Sequence, residues 1–148
     1  MHTLTKTQMK SKLNRTIAII SLLTASTLSL CAQQHTDIPK ITYITILKQL
    51  LNGQSISNKE VQMEVVTFPP GSSSSAHRHP CPTFGYLLEG ELESVFEGVR
   101  HVYKQGDSFY EKPYGLHSVT RNNSKSKPAK LLVFFINDPS KPNSIHLK

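Results

Sequence analysis

The chain has 148 residues, room for a single domain, with 37% hydrophobic residues, no tryptophan and only two cysteines. Its formal charge of +7 is uneven, because Lys6, Lys10, Lys12 and Arg15 lead the chain and no acidic residue precedes Asp37. Removing residues 1–32 takes away four of the 17 basic residues and none of the ten acidic ones, so the remainder carries +3; with no basic stripe interleaved with aromatics, these numbers argue against nucleic acid as a partner.

The basic start runs into residues 17–30, an apolar stretch broken only by Ser and Thr, and then into Cys31-Ala32-Gln33-Gln34. This order is expected of a secretory signal peptide removed after Ala32, followed by a linker over 33–40. The stretch is shorter than the roughly 20 residues of a membrane span, and it has no amphipathic face of the kind a domain helix would show. Cys31 leaves a second option, a lipoprotein signal, and only lipidation there would anchor the chain to a membrane. The expected location is periplasmic or secreted. Without the leader a single cysteine, Cys81, is left, which excludes an internal disulfide.

Residues 41–46 are β-branched and aromatic and predict a strand. Residues 48–52 fit a helical turn, and Asn52-Gly53 a chain reversal. Residues 61–68 begin with strand alternation and end at Pro69-Pro70-Gly71. The serine run 72–75 reads as a flexible loop without chemistry. Further short strands are expected at 83–88, 91–97, 99–103, 108–111, 117–120 and 131–136, with turns at Glu89-Gly90, Gly106-Asp107 and Asn122-Asn123-Ser124. Many short strands at close spacing, with Gly and Pro between them, predict an all-β sandwich or barrel in one domain over 41–148.

Within that pattern lies His77-Arg78-His79. Imidazoles at i and i+2 of an extended segment share a face, and imidazole is a common ligand of divalent transition metals. A third, His117, follows the Pro113-Tyr114-Gly115 turn, and three histidines on neighbouring strands can converge on one ion. The spacing alone fits surface histidines equally well.

Gly71, five residues, His77, one residue, His79 and then Gly90 resemble the first motif of the cupin superfamily. The stretch from Gly106 to His117 is similar to the second. The resemblance covers residues 41–137, and its wording looks like that of small single-domain bacterial cupins. It implies a jelly-roll barrel of short antiparallel strands, holding a divalent ion on His77, His79 and His117. Two departures stand out. The glutamate of the first motif is replaced by Thr83. In the second motif Lys112 and Tyr114 take the expected Pro and Gly positions, with Pro113 and Gly115 one place late, and Arg121 takes that of the expected Asn, with Asn122 one place late. Loss of the carboxylate is expected to leave the metal unit more positive and to open a further coordination position.

Other candidates are weaker. Cys81, between two prolines, is expected to be structural. Glu111 is a replacement carboxylate, a base or a solvated strand-end charge, with the last reading preferred. Arg78 should point away from its histidine neighbours. Tyr86, Phe96, Phe109 and Tyr110 either line a cavity or fill the core, and His101 and His146 are expected at the surface. The resemblance implies a divalent-metal enzyme acting on a small molecule, such as a dioxygenase or related oxidoreductase, with Fe, Zn, Mn, Ni and Cu not distinguished and no catalytic residue assigned. A non-catalytic periplasmic binding or sensing module, and a metal-dependent isomerase or lyase, stay open beside it. It also implies a homodimer.

Overall fold

The computed structural model describes residues 40–147. The expected signal segment 1–32, with Cys31, and linker residues 33–39 lie outside them. The elements are β1 (Thr42–Leu51), β2 (Lys59–Phe68), β3 (His77–Arg78), β4 (Thr83–Glu89), β5 (Glu91–Phe96), β6 (Val99–Lys104), β7 (Ser108–Glu111), β8 (Leu116–Arg121), β9 (Ala129–Asn137) and β10 (Ile145–His146). They form two five-stranded antiparallel sheets, ordered β1-β2-β9-β4-β7 and β10-β3-β8-β5-β6. Neighbours in the sheets are mostly distant in sequence, as in a jelly roll.

Side chains alternate between the faces of a strand, and the register aligns the inward set of the first sheet in three rows. Gln62, Phe135, Thr83 and Glu111 are successive partners in one row, Glu64, Val133, Gly85 and Phe109 in the next, and Tyr43, Val66, Leu131 and Leu87 in the third. Val66, Phe68, Leu87, Leu92, Leu131, Val133 and Phe135 form the buried core. Each such Val, Leu or Phe stabilises by roughly 1.5–3 kcal/mol when taken out of water. The intervening residues Phe84, Tyr86 and Tyr110 face outward and are exposed, so of the four aromatics considered above only Phe109 lines the cavity between the sheets.

Two expectations change. Residues 48–51 do not turn into a helix but continue β1, because past a register shift at Thr45/Leu47 the pairing with β2 runs unbroken from Leu47 opposite Met63 to Leu51 opposite Lys59; pairing outweighs local propensity. The serine run is not a loose loop. Ser72 Oγ donates to the Pro69 carbonyl at 2.7 Å, and Ser74 exchanges bonds with Thr120, its Oγ accepting the Thr120 amide at 2.9 Å and its own amide reaching the Thr120 carbonyl at 2.8 Å.

The shifted second motif has a local explanation. Tyr114 takes the left-handed conformation, with φ of 62°, at the position where the motif expects glycine. Gly115 is needed for space, since a Cβ there would overlap the Phe96 ring. Asn122, one place late, is buried and holds the Phe68 and Lys127 carbonyls at 3.0 and 2.8 Å.

Candidate metal centre

β3 opposes β8 so that His77 and His117 are direct cross-strand partners. Such partners have Cβ atoms about 4.5–5.5 Å apart, and their ring centroids are 4.8 Å apart here. His79, just beyond β3, turns its ring to 4.8 Å from His77. One nitrogen from each of the three histidines lies within 4.8 Å of the others. The sequence-predicted triad is therefore assembled in one place, at the wall of a cavity of about 440 Å³.

Each ring is held by its other nitrogen. His77 Nδ1 donates to the Ser75 carbonyl at 2.9 Å and His79 Nδ1 to the Asn143 carbonyl at 2.6 Å. A carbonyl only accepts, so these bonds put the proton on Nδ1 and leave the Nε2 lone pairs free. His117 is reversed, with Nε2 2.6 Å from Thr120 Oγ1 and 2.9 Å from Ser94 Oγ, while its Nδ1 is buried without a hydrogen-bond partner. Phe96 packs against the same ring at 85°. Partners that fix tautomer and orientation in this way are typical of metal-ligating histidines.

The electrostatics agree. Burial lowers His77 from 6.5 to about 4, against the Ser75 carbonyl, which favours its charged form; the neighbouring His117 and His79 lower it further and Glu111 raises it. His79 is also lowered, chiefly by burial. Both rings are neutral near pH 7, the form that binds metal. The orphaned His117 Nδ1, the two free Nε2 atoms and the neutral rings fit a divalent ion.

Thr83 is buried, and its hydroxyl donates to the Cys81 carbonyl at 3.2 Å, turned toward the proline turn. Cys81 is buried in the core, with its thiol pushed up by burial, which fits the structural role expected of it. Arg78 points away from the triad, as expected, and Nη1 donates to the Tyr114 carbonyl at 2.5 Å, tying β3 to the β7–β8 turn.

Two sequence expectations are corrected. Glu111 is not a solvated strand end: it is 3% exposed, with Oε1 3.3 Å from His117 Nδ1 and Oε2 3.7 Å from His79 Nε2. Its parity with the inward-facing Phe109 was the available signal. His146 is exposed, as expected, but not without partners. It pairs with His77 across the β10–β3 ladder, its Nδ1 is 3.3 Å from Ser75 Oγ, and it lines the cavity; nothing near it in the sequence announced this. His101 is exposed and stacks on Tyr103.

Residues 64–135 match the Cupin_2 family, described as a cupin domain. The chain is similar to the cupin-domain-containing oxidoreductase srdB of Neurospora crassa, with 33% identity over 73 residues, 49% of this chain and 36% of that protein. The DMSP lyase DddQ of Ruegeria pomeroyi superposes with a TM-score of 0.58 at 22% identity, over 72% of this chain and 51% of that one. An oxalate oxidase bound to the substrate analogue glycolate superposes with a TM-score of 0.51 at 25% identity, over 59% of this chain and 46% of that one. The chain thus spans about a third to a half of these relatives. Residues 64–135 are thus similar to a cupin domain, and the two-sheet barrel is the fold of the solved structures on which it superposes.

Proposed function

We propose that the domain is a divalent-metal oxidoreductase acting on a small molecule held in the cavity, with His77, His79 and His117 as metal ligands. The observation that carries this reading is the buried His117 Nδ1, which has no hydrogen-bond partner, on a ring that offers a nitrogen within 4.8 Å of one from each of the other two histidines. A bound divalent ion would supply Lewis acidity and, if redox-active, a route for electrons.

The rest is done by the chain. The Ser75 and Asn143 carbonyls hold two ligand rings in the binding tautomer, and Thr120 and Ser94 hold the third. Val66, Leu131, Val133, Phe109 and Phe135 give the cavity dry walls. Gln62 and Glu64 add polar groups to its lining and orient a substrate carrying hydrogen-bond donors. The oxidoreductase class is supported by the name of the Neurospora crassa relative and by the oxalate oxidase likeness. The basic start and apolar stretch of the sequence support a periplasmic or secreted location.

The test is to recover untagged protein from the periplasmic fraction, sequence its N-terminus and measure its metal content beside His77→Ala and His117→Ala. One equivalent of a redox-active metal, lost in both variants, with oxygen uptake on a small-molecule screen, is the expected result. Wild-type protein that takes up no metal even on reconstitution would sink the reading, and one equivalent of zinc without oxygen uptake would overturn its redox part.

A further inference from the structure

Thr83 and Glu111 are direct partners in the β4–β7 ladder. Thr83 stands where the cupin motif places a glutamate, and its hydroxyl is turned toward the Cys81 carbonyl. Directly opposed residues on one face of an antiparallel pair have Cβ atoms about 4.5–5.5 Å apart. A glutamate side chain spans that distance, so a carboxylate lost at one position can be supplied from the other.

The surroundings of Glu111 call for a cation. The residue is 3% exposed. Among the described residues no lysine or arginine comes within 4 Å of it, and its only charged-type neighbours are the His79 and His117 rings. His79 has committed its one proton to the Asn143 carbonyl, so the nitrogen facing Glu111 is a bare lone pair. At 3.3 Å, His117 Nδ1 does not make a hydrogen bond with the carboxylate either. The His79 Nε2 lone pair, the unpartnered His117 Nδ1 and a buried carboxylate converge with no hydrogen bond among them, an arrangement that a positive charge placed between them would satisfy.

We propose that Glu111 is the carboxylate ligand of this metal centre, supplied from β7 across the ladder from the position where the motif carries it. The inference rests on the metal reading of the His77, His79 and His117 site. It gives the centre three neutral ligands and one anionic ligand, so the protein–metal unit carries +1 rather than the +2 expected from Thr83 alone. A proton on His117 Nδ1, or water in the cavity, would ease the same crowding without metal.

The test is a Co(II) titration of chelator-stripped protein, following the visible absorption bands and the affinity for wild type, Glu111→Gln and His117→Ala, with circular dichroism to check folding. Expected are one equivalent in wild type, and for Glu111→Gln at least a tenfold loss of affinity with a shifted spectrum. Wild-type affinity and spectrum in Glu111→Gln, with binding lost in His117→Ala, would overturn this assignment and leave the histidine centre standing. No Co(II) uptake by wild type would overturn both. Should Glu111→Gln fail to fold, a structure of the Co(II)-loaded wild type decides. A Glu111 oxygen about 2.0–2.2 Å from the ion supports the ligand role, and a water in its place overturns it.

Discussion

At the scale of single residues, the three histidines were legible because His-x-His on an extended segment fixes their common face, and His117 fell in motif register. What orients them was not legible: Ser75 and Asn143 act through backbone carbonyls, and Asn143 lies 64 residues from the ring it holds. Glu111 was ambiguous, because a glutamate before Lys112-Pro113 looks like a strand end until its ladder partner is known. His77 carries a pH consequence. Its folded value, about 4, lies below the 6.5 of an exposed ring. Between those values the unfolded chain takes up a proton that the folded, metal-free protein refuses, so stability is full above 6.5 and falls as pH drops toward 4. His79, shifted the same way, adds to the slope. Urea midpoints of metal-free protein should fall through this window and fall less in His77→Asn; a flat wild-type profile would contradict the buried, neutral assignment.

At the scale of elements, strand positions followed from alternation and from Gly and Pro punctuation, while the end of β1 did not, since only β2 decides how far the ladder runs. The β7–β8 turn shows what a shifted motif costs. Tyr114 sits in a left-handed conformation that disfavours a side chain by about 1–2 kcal/mol, held by its amide to the His79 carbonyl at 2.6 Å and by Arg78 on its own carbonyl. Gly115→Ala would push the Phe96 ring, which packs edge-on against His117. Overpacking of this kind costs about 1–3 kcal/mol. The expected outcome is a lower melting temperature together with weaker metal uptake; unchanged uptake would show that Phe96 does not support the ligand.

At the scale of the molecule, the edge strand β1 exposes Tyr43, Ile44, Ile46, Leu47 and Leu50. An edge strand of this composition is a template for pairing. We infer that a second copy covers it, giving the homodimer implied by the family resemblance. Light scattering should return twice the chain mass, and Ile46→Lys should halve it; a monomeric wild type would end this reading.

The loop before β10 has a consequence for how the protein ages. Asn137 Nδ2 gathers the Lys141 and Pro142 carbonyls and Asn143 Oδ1 at 3.0–3.2 Å, and the Asn143 carbonyl in turn sets the His79 ring. Whatever steadies the ring must, by thermodynamic reciprocity, steady the loop to the same degree. A single proteolytic nick between Asp138 and Asn143 would leave the barrel standing yet release a ligand, and a loaded centre would slow the protease that makes the cut. Resistance to cleavage at this loop would then be a record of occupancy.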